Sequence, residues 1–339
     1  MNDEYILSVI VCCYNKSKTL ELTLESLIHQ SIFDKIEVIC VDDCSTDNSL
    51  HILESYRDKY SNFKVRKLEQ NSSVYVARLE GLAISTSRYI GFLDPDDWID
   101  EKYFQELVDE IQKTDADMII TPSIYKHTNK EEFISLDTDK IRMMDNPGVY
   151  DNTIELFNKL MATTACMTLW NIVFKRKAII PSLELKRAYI SYTEDNLFFI
   201  FSLMHSDRIE YYRTSSVYHY YYGNDVNHLS CNTPLNKMAW CLDYVFNLLL
   251  KYCMEHEEYN KYFDGIKKCK DKYPRRIIYT LHTILVNGKI FNKYFNKDFT
   301  PKDDFYELAK IEANKKELKS IQEVLSVIQN LKDIIRDNA

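Results

Sequence analysis

Two short runs constrain this chain more than anything else in it. Ile6 to Cys13 reads ILSVIVCC, and Ile36 to Val41 reads IEVICV. Strict alternation would mark a strand with one wet face, whereas a nearly continuous apolar, β-branched run marks a strand covered on both faces. Each run ends in a turn cluster, and apolar residues at helical spacing follow: Leu20, Leu24, Leu27 and Ile28 after the first, Leu50, Ile52 and Leu53 after the second. The pattern then repeats. Strands are predicted over 63–68, 89–93 and 117–121, with helices over 74–86 and 103–114. Strand–helix alternation at this length predicts an α/β fold built on a parallel, doubly wound sheet.

Such sheets bind ligands beyond the carboxyl ends of their strands. Three polar clusters fall at those ends: Tyr14-Asn15, Asp42-Asp43 and Asp94-Pro95-Asp96-Asp97. The third sits in YIGFLDPDDWID, where an apolar strand runs into three carboxylates. Residues two apart in extended chain face the same way, so Asp94 and Asp96 share a side. Hard oxygen donors at that spacing suit Mg2+ or Mn2+. A solvated turn with a helix cap is the competing reading. The six glycines form neither GxGxxG nor a P-loop, so no glycine cradle is available for phosphate. A net charge of −8 argues against a nucleic-acid partner. The nine cysteines are odd in number, contain no CxxC and follow no secretory signal, which predicts reduced thiols and a cytoplasmic protein. No apolar run reaches the ~18 residues of a membrane span.

Beyond residue 125 the periodicity loosens. Residues 126–147 read as a polar surface excursion, 154–162 as helix, and 165–179 as mixed strand and basic turn. Thr193-Glu194-Asp195 reads as a capping sequence opening an apolar helix to residue 204, and 208–222 as aromatic and strand-like. After 232 the chain reads as helix. These shifts predict a domain over 1–230, with a nucleotide-binding half to about 122 and an acceptor half over 123–230. A helical region over 231–339 follows. There Leu318, Ile321, Leu325 and Ile328 step at three and four, which fits either intradomain packing or a homodimer seam.

In order and spacing, SVIVCCYN (8–15), EVICVDDCSTDNS (37–49), Ala77-Arg78 with Gly81, YIGFLDPDDW (89–98) and Glu194-Asp195 resemble the family 2 glycosyltransferases. The stretch Trp170 to Arg176 further resembles members that build bacterial capsule and lipopolysaccharide. The resemblance covers about residues 5–225. It implies a GT-A type, Rossmann-like fold, with a mostly parallel sheet flanked by helices and a helical C-terminal region, and an inverting, metal-assisted transfer from a nucleotide-diphosphate sugar, UDP first, to a hydroxyl of a surface glycan. Free and lipid-linked acceptors both fit, and so does a peripheral contact with the inner membrane. By position, the resemblance places Tyr14, Asn15 and Asp43 on the nucleotide and Arg78 in its pocket. It makes Asp94 and Asp96 the DxD pair, with Asp96 the direct Mn2+ or Mg2+ ligand. Asp195, with Glu194 beside it, becomes the base that deprotonates the acceptor. A helix N-terminus would lower the pKa of that base.

The chain departs from the family pattern at Asn71-Ser72-Ser73-Val74, at Leu79 and at Ser87-Arg88, all near the donor pocket. His219 and His228 stand as further metal or diphosphate ligands, or as structural residues. Lys175-Arg176-Lys177 reads as an anionic-acceptor contact or a solvated turn. Two rival functions remain: a sugar nucleotidyltransferase, which lacks its glycine loop here, and a non-catalytic sugar-binding or assembly module.

Overall fold

The computed structural model describes residues 5–121, 124–128, 134–135, 147–162, 168–222 and 235–272. The chain divides into two compact units, one of residues 1–159 with 165–227 and one of 160–164 with 228–339.

The first unit opens as the sequence predicts. Strand β1 (Leu7–Cys13) leads to helix α1 (Leu20–Ile28), β2 (Ile36–Asp42) to α2 (Ser49–Lys59), β3 (Phe63–Lys67) to α3 (Val74–Ile84), and then comes β4 (Tyr89–Phe92). All four strands pair in parallel, in the order β3-β2-β1-β4. Val9, Val11, Val38 and Cys40 are fully buried, as their unbroken apolar context requires. Covering each such side chain contributes about 1.5–3 kcal/mol.

After β4 the chain makes a short β5 (Trp98–Ile99), helix α4 (Tyr103–Thr114) and β6 (Met118–Ile120). Further on lie β7 (Ile124–Thr128), β8 (Ile134–Ser135), β9 (Gly148–Tyr150), α5 (Thr153–Ala162), β10 (Ile172–Lys175), α6 (Arg176–Ile179), α7 (Glu194–Met204), β11 (Ile209–Tyr211) and β12 (Tyr218–Tyr222). Here the sheet departs from parallel pairing at two places, as a mostly parallel sheet allows. β10 lies antiparallel between β4 and β6, and β9 closes the edge antiparallel to β11. The eight-stranded sheet is therefore mixed, though mostly parallel. Its inserted strand IVFK is as apolar as its neighbours, and direction leaves no mark on such a run.

The aromatic stretch 208–222 is not one strand. Polar Arg213 to Ser216 interrupts it, so β11 joins the large sheet while β12 joins a four-stranded sheet in the order β5-β12-β7-β8. β8 and most of β7 fall in the segment 126–147 that reads as a polar surface excursion. The helix α7 also differs from its expected start: Thr193 makes no side-chain cap and adopts a left-handed φ of 67°.

Helix α3 reaches β1 through Gly81, where an added Cβ would sit 2.6 Å from Cγ2 of Ile10. Ile10 is β-branched and buried in a strand, so it has no free rotamer to retreat into. Gly81→Ala is expected to lower stability by about 1–3 kcal/mol. Urea unfolding checks this, and an unchanged midpoint would contradict the close approach.

In the second unit, helix α8 (Leu235–Glu255) buries Cys241, Leu242, Val245, Phe246, Leu249 and Cys253 along one helical stripe. The stripe from Leu318 to Ile328 and the dimer seam it suggested lie outside the described residues. No helix among the described residues is long and apolar enough to cross a membrane.

Candidate active site

The carboxyl ends of β1, β2 and β4 lie side by side in the sheet, so the three polar clusters predicted there share one edge. Each is fixed by its neighbours. Asn15 adopts a φ of 53°, and its Oδ1 accepts the Thr46 amide at 2.7 Å, which pins the loop after β2. Asp43 is buried, and its carboxylate accepts the amides of Ser72 at 2.6 Å and Ser73 at 3.0 Å and the Asn71 side chain at 3.1 Å. Burial raises its pKa, and the two amide bonds oppose that rise. The segment Asn71-Ser72-Ser73 is thus fastened to the end of β2 through Asp43. Tyr14 is exposed beside them.

Left-handed backbone recurs around this edge. Besides Asn15 and Thr193, Cys44 has a φ of 62° and Ser73 a φ of 84°. None is glycine, and the cost of such conformations falls on residues that border functional loops.

Arg78 is the centre of the site. It projects from α3, one turn before Gly81, and is 4% exposed. Its Nη1 meets Glu194 Oε1 at 2.8 Å and also Asp195, and its Nη2 lies 3.5 Å from Asp94 Oδ1. The guanidinium also packs over the Phe92 ring at 5.8 Å. One buried cation thus joins the end of β4 to the start of α7, although 116 residues separate Arg78 from Glu194. Burial opposes its charge, but Asp195, Glu194 and Asp94 overcome that and hold it firmly protonated.

The carboxyls respond in the other direction. Burial pushes Asp195 up to about 7; Arg78 opposes the shift and Glu194 adds to it. Burial likewise pushes Asp94 up to about 6, against Arg78. The expected lowering of the Asp195 pKa by the helix terminus is therefore overturned. Desolvation outweighs the dipole, which acts at a few tenths to 1 kcal/mol.

The rest of Asp94 to Asp97 is equally committed. Asp97 is buried and accepts the Tyr218 hydroxyl at 2.7 Å and the Tyr221 amide at 2.8 Å. Trp170 stacks on Tyr218 at 4.4 Å between centroids. Asp96 accepts the Lys16 ammonium at 2.5 Å. Lys16 did not stand out as a site residue in the sequence, and Asn71 did so only as part of the departure at 71–74. The signal available was position alone, since Lys16 follows β1 and Asn71 follows β3, both at the ligand-binding edge.

His219 is held between Asp100, 2.8 Å from its Nε2, and a stacked Trp98 at 5.1 Å. His228 lies outside the described residues. In the basic run, Lys175 bonds Asp115, Lys177 lies 2.9 Å from Asp117, and Arg176 bonds Ser85 at 3.0 Å. Its charges serve the fold of this unit.

Among the described residues no group of three or more His, Cys, Asp or Glu side chains is arranged to hold a metal ion. Asp94 and Asp96 still offer hard oxygens at one strand end. A Mg2+-type ion needs only one or two protein carboxylates when phosphate and water complete its shell. The donor set fits an ion shared with a bound diphosphate.

Residues 8–180 match the family model described as glycosyl transferase family 2. The chain belongs to that family. It is 26% identical over 188 residues to the cholesterol galactosyltransferase of Borreliella burgdorferi, covering 53% of this chain and 50% of that protein. Over 124 residues it is 38% identical to the minor teichoic acid biosynthesis protein GgaB of Bacillus subtilis, covering 36% of this chain and 14% of that protein. The chain therefore spans half or less of the length of these curated relatives. Residues 1–349 of Staphylococcus aureus TarS, crystallised with UDP-GlcNAc, superpose with a TM-score of 0.60 at 18% identity, covering 97% of this chain and 92% of that one. At that identity the likeness is one of fold, and the mixed, mostly parallel sheet flanked by helices is the GT-A type arrangement that the sequence resemblance implied.

Proposed function

We propose that this family 2 member is an inverting glycosyltransferase that moves a sugar from a UDP-sugar to a hydroxyl of a bacterial surface glycan, at the cytoplasmic side. One observation carries the reading: Arg78 ties the donor-side carboxylate Asp94 to the carboxylate pair Glu194 and Asp195 in a single buried cluster. The relatives' roles in sugar transfer and teichoic acid synthesis support the substrate class. The UDP-GlcNAc complex of the TarS neighbour supports the nucleotide.

Tyr14, Asn15 and Asp43 line the nucleotide end, with Asn71 bridging to Asp43. Asp94 and Asp96 would hold Mn2+ or Mg2+, which would supply positive charge against that developing on the departing diphosphate. Asp195 takes the proton of the acceptor hydroxyl as its oxygen attacks the anomeric carbon and the bond to phosphate breaks. A carboxyl with a pKa of about 7 is well matched to this task, because a general base works best when its pKa lies near the working pH. Glu194 shares Arg78 with it and sets its orientation.

The test is thermal unfolding with UDP, GDP, ADP and CDP, each with and without Mn2+, on wild type and Asp96→Ala. A ligand selective for the native state raises its melting temperature. UDP with Mn2+ is expected to raise it by about 5 °C or more at roughly 100 times Kd, and Asp96→Ala to remove the metal-dependent part. Indifference to every nucleotide would sink the donor-site reading.

A further inference from the structure

We propose that Lys16 is the resident cation of Asp96 in the donor-free protein, so that a divalent ion enters the site only together with the nucleotide diphosphate. This rests on the metal role proposed above for Asp94 and Asp96. The Lys16 ammonium lies 2.5 Å from Asp96 Oδ2, and the two side chains are 14% and 11% exposed. Lysines on a surface rarely hold one position. This one is presented by a braced loop: the Lys16 amide donates to Ser49 Oγ at 2.8 Å, and Thr19 Oγ1 donates to the Pro95 carbonyl at 3.0 Å. The second bond ties the lysine loop directly to the Asp94–Asp97 turn.

Both carboxylates of the pair are thus already served, Asp96 by Lys16 and Asp94 by Arg78 at 3.5 Å. A bare divalent ion entering here meets two positive groups at close range and must displace at least one. Arg78 is locked by Glu194 and Asp195. Lys16 is a compact point charge on a flexible four-carbon stem, so it is the one that can move. A diphosphate changes the balance, because its oxygens give the displaced ammonium a new partner and complete the ion's shell. Metal and nucleotide then favour each other's binding, and that coupling is reciprocal.

The experiment is calorimetric titration of Mn2+ into the full chain without nucleotide, then with saturating UDP, for wild type, Lys16→Met and Lys16→Met/Asp96→Asn. Wild type is expected to bind Mn2+ weakly alone and much more tightly with UDP. Lys16→Met should bind Mn2+ about ten-fold or more tighter than wild type without nucleotide, the scale of an ordinary coupling between sites. It should then gain less from UDP than wild type does, and Asp96→Asn should abolish its advantage. Equal nucleotide-free Mn2+ affinity in wild type and Lys16→Met would overturn the proposal, as would tight Mn2+ binding by wild type alone. Should Lys16→Met fail to fold by circular dichroism, Lys16→Gln makes the same comparison with a polar side chain. The nucleotide-free titrations are read whether or not UDP binds, so a failure of the UDP reading is seen separately from a failure of this one.

Discussion

Asp195→Asn is expected to reduce sugar transfer by about 10²–10⁴-fold, the usual contribution of a positioned general base. Binding of UDP with Mn2+ should survive, because Asp195 sits on the Glu194 side of Arg78 and makes no contact with Lys16 or Asp96 in the polar network. Asparagine keeps the shape and a hydrogen-bond acceptor for Arg78, which separates loss of proton transfer from loss of structure. Glu194→Gln should cost less, since Glu194 is the more enclosed of the two carboxylates. In wild type, the kcat/KM profile should fall about ten-fold per pH unit below about 7 and level off above it. The base works only when ionised, and burial has moved its pKa to that value. A profile flat from pH 5 to 8, or an Asp195→Asn protein of near-normal turnover measured by UDP release, would remove Asp195 from the mechanism.

Arg78→Met should be the most destabilising single change in the site. Removing the cation leaves Asp94, Glu194 and Asp195 facing one another without their shared partner. Breaking a buried ion pair from one side costs about 3–5 kcal/mol. The loss has a predictable pH dependence. Burial already raises Asp94 to about 6 and Asp195 to about 7 against the pull of Arg78. Without that pull these two bind protons still more tightly when folded than when unfolded, so their penalty is small below pH 4 and grows as pH rises through their folded pKa values. Urea unfolding at pH 8 should therefore show nearly the whole deficit, and at pH 5 a smaller one. A difference below about 1 kcal/mol at pH 8 would mean that the carboxylates find other partners. Arg78→Lys would restore charge but not the fork that reaches two elements at once, so it should recover only part of the stability.

The portions of this protein governed by local pattern were readable from its sequence. β1, β2 and the helices between them announce themselves in runs such as SVIVCC, and strand order then brings Asn15, Asp43 and Asp94 to one edge. Partnership across distance was not readable. Nothing near Arg78 says that it will meet Glu194, and nothing in IVFK says that β10 will run against its neighbours. Both depend on tertiary assembly rather than on period. The direction of the Asp195 shift was misjudged for the same reason. A helix terminus is visible in sequence, while the burial that outweighs it belongs to the assembled fold. Lys16 was passed over because a lysine in a turn is usually just solvated, and only its proximity to Asp96 gives it a role.

A chain with six glycines leaves its tightest corners to ordinary residues. Asn15, Cys44, Ser73 and Thr193 each hold a left-handed backbone around the candidate site, at a cost on the order of 1 kcal/mol apiece. That cost is met once, when the protein folds. A floppy rim would meet it at every encounter with substrate, as lost loop entropy. The loops at this sheet edge are in this sense preorganised: their backbone is set when the chain folds. The same corners mark the headroom for engineering. Relaxing one, for instance with Thr193→Gly, would ease the folded state and loosen the turn that aims Asp195, trading turnover for resilience.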